Sequence, residues 1–169
     1  TLATTGLLIA GNANANTITF DYTFGSPIPD DPGPGIILSG GLGVDSIVLT
    51  GGAVNSVVDS FSKRDQGVIN VTVGVDTRSI NYIQFETPIL DQLVATSRTF
   101  NFSDVNDDIT LNNTGTTSDG VSTIGSVLKG TATTSSLGAT FTTAGGATLT
   151  IKADDAIVKK EKKAKKKNL

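Results

Sequence analysis

The chain has 169 residues, enough for one domain of ordinary size, and its formal charge is −3. It contains no Cys, His, Met or Trp, which excludes disulfide bonds, thiolate nucleophiles, imidazole bases and zinc sites built from Cys and His. Its 25 Thr, 14 Ser and 19 Gly, beside many Val and Ile, are typical of exposed β-structure with small-residue turns.

The first fifteen residues allow two interpretations. The apolar run TLATTGLLIA, followed by Ala13 and Ala15 in an Ala-x-Ala arrangement, is similar to the end of a secretory signal, with the mature chain beginning near Asn16. Alternatively, this segment docks onto a neighbouring subunit, because a terminus is rarely ordered unless it is tied down. Both interpretations predict an exported protein that is secreted or held at the cell surface.

Residues 17–24, TITFDYTF, form the clearest predicted strand, because apolar and polar residues alternate along it. Its apolar face carries Ile18, Phe20, Tyr22 and Phe24. The following residues 25–35 contain 4 of the 5 prolines and form a stiff connector that cannot continue a sheet. This connector is either a long loop between two sheets or the base of an arm. In the second case residues 1–24 complete the sheet of the next subunit, and the four apolar side chains fill its acceptor groove.

Residues 36–152 form the predicted β domain, in which short apolar or alternating runs recur between turn signals. Strands are expected at 36–38, 46–50, 67–75, 79–86, 99–103, 108–112, 122–128, 139–143 and 147–152. Residues 87–95 are expected to form one or two helical turns after Pro88, and residues 144–146 a hairpin turn. The predicted fold is all-β, a β-sandwich of jelly-roll or Ig-like type with an N-terminal arm strand. A β-solenoid is the alternative, since residues 112–146 are rich in Thr and Gly.

Two segments suggest calcium ligands, although the sequence requires no cofactor. Residues 40–48, GGLGVDSIV, resemble the nonapeptide of RTX calcium-binding repeats, and the resemblance implies that the carboxylate of Asp45 and backbone carbonyls hold the ion. A degenerate second copy at residues 51–58 lacks the Asp. Asp104, Asn106 and Asp108 form a second oxygen-rich cluster. The alternative interpretations are a Gly-rich hairpin and an ordinary polar turn.

Charge is separated along the chain. Residues 1–158 carry a net charge of −9 and residues 159–169 a net charge of +6. The Lys-rich tail, residues 153–169, is predicted to bind an anionic cell-surface polymer or lipid, to dock on another subunit, or to act only as a solubilising tail. Nucleic acid is not an expected partner, because the body is acidic and the tail has no interleaved aromatics. The lysines concerned are Lys159, Lys160, Lys162, Lys163, Lys165, Lys166 and Lys167.

No catalytic motif is present, and Glu86 is the one Glu before the tail, so the sequence does not predict an enzyme. The composition is similar to that of secreted microbial surface and filament proteins. The sequence therefore predicts an exported structural protein whose main partner is itself, assembling into a filament, sheath or surface layer by strand addition between subunits. The alternative function is a calcium-dependent adhesion or glycan-binding module anchored by the basic tail.

Overall fold

The computed structural model describes residues 6–29, 35–102, 107–113, 121–128, 134–142 and 147–153, and these residues form an all-β fold. They contain strands and turns but no helix. The expected helical turns at 87–95 are wrong, because two strands, Ile89–Asp91 and the start of Val94–Asn101, occupy that segment.

The strands are numbered here in chain order. They are β1 Leu7–Ala10, β2 Thr17–Asp21, β3 Ile36–Ser39, β4 Ser46–Thr50, β5 Ala53–Lys63, β6 Gln66–Val73, β7 Asp76–Ile83, β8 Ile89–Asp91, β9 Val94–Asn101, β10 Asp107–Asn113, β11 Val121–Leu128, β12 Thr134–Thr142 and β13 Thr148–Lys152.

Two sheets pack against each other as a β-sandwich, as predicted. Sheet A has the order β1-β3-β7-β6-β5-β9-β13, and sheet B has the order β10-β11-β12-β8-β4-β2. The core lies between them. Phe100 of sheet A packs on Phe141 of sheet B with ring centroids 4.9 Å apart, and both side chains are fully buried. Truncating such a buried Phe typically costs about 3–5 kcal/mol.

Strand direction differs from the expected jelly-roll or Ig-like type. Those sandwiches are built from antiparallel strands, whereas seven of the eleven strand pairs formed by the described residues are parallel. The parallel pairs arise because the chain repeatedly crosses to the other sheet and returns beside an earlier strand. The length of each return varies: Leu7 pairs with Ile36, but Ile36 pairs with Ile80. This irregular spacing explains why no repeat is visible in the sequence.

The N-terminal residues are part of the sandwich of their own chain. β1 pairs in parallel with β3, and β2 pairs in parallel with β4. The connector therefore runs from β2 in sheet B to β3 in sheet A, which agrees with the loop interpretation. This pairing corrects the prediction that residues 1–24 form an arm in a neighbouring subunit, since both strands in that segment have partners in the same chain.

Candidate assembly site

The first strands of the two sheets lie at one end of the sandwich. Each has a single neighbouring strand among the described residues, β3 for β1 and β4 for β2. The loop between them, residues 11–16, follows the loop between β3 and β4. The N–H of Gly11 donates to the carbonyl of Ser39 (2.7 Å), and the N–H of Ser46 donates to the carbonyl of Asn16 (2.9 Å). We call β1 and β2 together the N-terminal edge.

The N-terminal edge is apolar and incompletely covered. Leu7 is 53% exposed and Leu8 is 62% exposed, while Ile9 and Ile18 are only partly buried against the core. Leu7 is in register with the buried Ile36, so it faces the inter-sheet core and is exposed because no described strand lies on its other side. β1 has neither a charged residue nor a proline, the features that commonly block a free sheet edge.

The opposite ends of the sheets are formed by β13 in sheet A and β10 in sheet B, which we call the C-terminal edge. Leu149 and Ile151 are in register with the buried Arg98 and Phe100 of β9, so both side chains face the core. They are nevertheless 37% and 39% exposed. Leu111 of β10 is also exposed, although its partner on β11 is the buried Ile124. Both edges therefore expose side chains that point into the core.

The four side chains predicted to enter a neighbouring subunit have different positions. Phe20 and Tyr22 are buried in the core of their own chain, and Ile18 is partly buried beside them. Phe24 is fully exposed. Phe20 and Tyr22 are thus corrected from interface residues to core residues, because sheet A of the same chain covers the face that they occupy.

Phe24 leaves the strand because β2 ends at Asp21. The Oδ1 atom of Asp21 accepts hydrogen bonds from the backbone N–H of Thr23 (2.9 Å) and from its hydroxyl (2.6 Å). These bonds hold the pKa of Asp21 below its ordinary value. A turn closed by an Asp side chain in this way competes with continued strand pairing. The alternating pattern of the sequence therefore extends to Phe24, whereas the strand ends at Asp21.

Asp45, the predicted calcium ligand, connects three loops. It is fully buried, and its Oδ1 atom accepts hydrogen bonds from the backbone N–H (2.7 Å) and side-chain amide (2.9 Å) of Asn16. Its own N–H donates to Oε2 of Glu86 (2.9 Å). The second oxygen, Oδ2, has no hydrogen-bond partner and lies so close to Gly40 that a Cβ there would be 2.7 Å away. Asp45 thus has a structural role in holding the ends of β2, β4 and β8 together, and calcium binding stays a prediction.

The other predicted ligands and the basic tail are described only in part. Asp104 and Asn106 lie outside the described residues, as do the seven lysines of residues 159–169, while Asp108 is an exposed residue of β10. Within the described part of the chain, no group of three or more His, Cys, Asp or Glu side chains is placed to hold a metal ion. The same part has no helix of sufficient length and apolarity to cross a membrane.

A buried charged cluster that was not expected from the sequence is formed by Asp59 on β5, Asp91 on β8 and Arg98 on β9, all nearly inaccessible. Nη1 of Arg98 forms an ion pair with Oδ2 of Asp91, and Nε donates to the carbonyl of Thr142 (3.2 Å). The guanidinium also lies 5.7 Å from the centre of the Phe141 ring. The available signal was the position of Asp59 between Val57 and Phe61 on the inward side of an alternating strand.

Asp59 is the unsatisfied member of this cluster. Neither of its carboxylate oxygens has a hydrogen-bond partner. Burial raises the pKa of Asp59 to about 7, although the charge of Arg98 acts in the opposite direction. Burial also lowers the pKa of Arg98 to about 10, opposed by Asp59. The core therefore contains a carboxyl group that changes charge near neutral pH.

No protein-family model matches the chain. No curated protein and no solved structure matches it either.

Proposed function

We propose that this protein is an exported structural protein that assembles into an extracellular filament, sheath or surface layer by strand addition between subunits. One observation carries the proposal: at both ends of the sandwich, strands that have a single neighbouring strand among the described residues expose apolar side chains that face the core. A free strand edge presents unpaired N–H and C=O groups to another strand. Here a second copy would supply both the missing hydrogen bonds and the missing apolar cover.

The contact differs from the one expected from sequence. The segment 17–24 packs within its own chain and does not enter a neighbouring subunit, so we assign strand addition to the sides of the N-terminal and C-terminal edges that face away from their neighbouring strands. The basic tail keeps its proposed role as an anchor on an anionic cell-surface polymer or lipid.

The size of the edges predicts weak individual contacts. Burying an exposed Leu completely contributes about 1.5–3 kcal/mol, and each new hydrogen bond contributes about 0.5–1.5 kcal/mol net. β1 has four residues, so a single strand junction offers only a few of each. Association of two proteins costs about 4–15 kcal/mol in lost freedom of motion. The gain and the cost are of similar size, and assembly should therefore depend steeply on protein concentration.

Sedimentation and negative-stain electron microscopy of the purified chain over a wide concentration range test this proposal. We expect concentration-dependent polymers for the wild-type chain and monomers for Leu7→Lys and Leu149→Lys, because a lysine at either edge keeps that edge hydrated. Val75→Lys is the matched control. Val75 is an apolar residue exposed to 95% on the turn between β6 and β7, away from both edges, so this variant should assemble normally.

Two results would contradict the proposal. Polymers formed equally well by the edge variants would exclude the edges as the contact. A wild-type chain that stays monomeric at every concentration would exclude assembly, and a rise in its melting temperature on adding calcium would favour the calcium-dependent adhesion or glycan-binding module instead.

A further inference from the structure

We infer that the subunits join head to tail through sheet A, with β13 of one copy pairing in parallel with β1 of the next. This inference rests on the proposed assembly function and specifies the partner and the geometry of the same edges. The occupant of each edge is a second copy of this chain.

Strand direction supports a head-to-tail junction. In sheet A, β6 is antiparallel to both of its neighbours, and every other neighbouring pair is parallel. All strands of sheet A except β6 therefore run in the same direction, including the two outermost strands, β1 and β13. A second copy shifted along the sheet consequently places its β13 beside β1 in the parallel orientation that β1 and β3 already share.

The alternation of side chains selects one register. Leu7 and Ile9 face the core on β1, and Leu149 and Ile151 face the core on β13. Placing Leu149 beside Leu7 and Ile151 beside Ile9 continues the apolar layer from one subunit to the next. A shift by one residue would put apolar side chains on the wrong face, because neighbouring residues in a strand point to opposite faces. A shift by two residues would leave part of the four-residue β1 unpaired.

Charge favours sheet A over sheet B as the site of the junction. In sheet B both outer strands carry an acidic residue, Asp21 on β2 and Asp108 on β10. Like charges oppose pairing of neighbouring strands, and charged residues on an edge strand hinder its pairing with another chain. In sheet A, β1 has no charge and β13 has only Lys152 at its end.

A junction between two different edges is not self-complementary, and it gives an open polymer unless the rotation between successive subunits closes a ring. Each added subunit again presents a β1 at one end and a β13 at the other, so an open polymer has two distinct ends. Neighbouring strands in a sheet are rotated by about 20–25° relative to one another, so successive subunits would rotate and the filament would twist.

Engineered cysteines test the junction directly, because the chain has no cysteine of its own. In the inferred register Leu8 lies beside Thr150 on the outer face of sheet A. Neighbouring strands are about 4.8 Å apart, and disulfides form across Cα separations of about 4.4–6.8 Å. The double variant Leu8→Cys with Thr150→Cys should therefore give a ladder of covalent oligomers on mild oxidation. The two single variants should each stay uncrosslinked when alone and give one 1:1 dimer when mixed.

Each other outcome is informative. Covalent homodimers of Leu8→Cys alone would show β1 pairing with β1 and overturn the inference. The inference is also overturned if wild-type polymers form but the double variant crosslinks no better than a control that combines Val75→Cys with Thr150→Cys. In that case the assembly function survives and only the junction is wrong. A wild-type chain that never assembles overturns the proposed function and this inference together.

Discussion

Replacing Asp59 with Asn should change how the stability of the domain depends on pH. The pKa of Asp59 is raised by burial from 3.8 to about 7. Between these two values the unfolded chain has lost the proton while the folded chain keeps it, so the unfolded state binds fewer protons. The free energy of unfolding of the wild-type chain should therefore fall as the pH rises through this window, and level off above about pH 7.

The magnitude follows from the size of the shift. Each pKa unit corresponds to about 1.4 kcal/mol, so the contribution of Asp59 to the free energy of unfolding should decline by about 4 kcal/mol across the window. Asn has a similar shape and no charge. Its amide will also lack partners, but that cost is the same at every pH. The difference in stability between Asp59→Asn and the wild-type chain should thus move in favour of the variant as the pH rises.

Chemical denaturation followed by circular dichroism, with dilute and monomeric protein, measures this difference at several pH values. Three charged or titratable groups act on Asp59 or on its neighbours: Arg98 from β9, Asp91 from β8 and Tyr82 from β7. The pKa of Tyr82 is itself raised by burial and by the charge of Asp59. All three are unchanged in the variant. Asp76→Asn, at an exposed position of β7, is the matched control for an Asp-to-Asn change outside the core. Parallel pH profiles for Asp59→Asn and the wild-type chain would contradict the raised pKa of Asp59.

Two further substitutions test the core. Arg98→Met leaves the carboxylate of Asp91 buried without its ion-pair partner, so it should destabilise the domain by about 3–5 kcal/mol in chemical denaturation. Adding Asp91→Leu should recover stability. An unchanged denaturation midpoint for Arg98→Met alone would contradict the assigned ion pair. Phe20→Ala should cost about 3–5 kcal/mol, whereas Phe24→Ala should stay within about 0.5 kcal/mol, because only Phe20 is buried. Equal melting temperatures for these two variants would contradict the packing of β2 in its own chain.

Where apolar and polar residues alternate without interruption, the sequence is sufficient to locate a strand. Ile47 and Leu49 alternate with polar or half-exposed neighbours, and the strand expected at 46–50 matches β4. β5 was missed for a physical reason. Its buried residues Val54 and Val57 are three positions apart, as Ala95 and Arg98 are on the adjacent β9. Such spacing is typical of a helix. At 87–95 the cause is different: the buried residues are at every second position, but Asp91 is one of them and interrupts the apolar alternation.

The partner of a strand could not be obtained from alternation alone. The pattern of residues 17–24 shows that one face is buried, but Phe20 would be equally apolar whether it packed in its own chain or in a neighbour. Strand direction is hidden for the same reason, since parallel and antiparallel strands both alternate. Burial of Asp59 and Arg98 is harder still to predict from the sequence, because a charged residue at an inward position contradicts the apolar pattern that locates a strand. Recognising them requires knowing that β5 and β9 are neighbours in the sheet.

The same two strands connect the buried carboxyl group to the C-terminal edge. Asp59 on β5 is in register with Phe100 on β9, and Phe100 is in register with Ile151 on β13. β13 has β9 as its only neighbouring strand among the described residues. In the proposed assembly, we expect ionisation of Asp59 to destabilise the strand on which β13 pairs. We therefore expect polymer formation by the wild-type chain to decline as the pH rises through about 7 and to decline less in Asp59→Asn. Light scattering across this range measures the effect. An equal decline in both proteins would place the pH-sensitive group elsewhere than at Asp59.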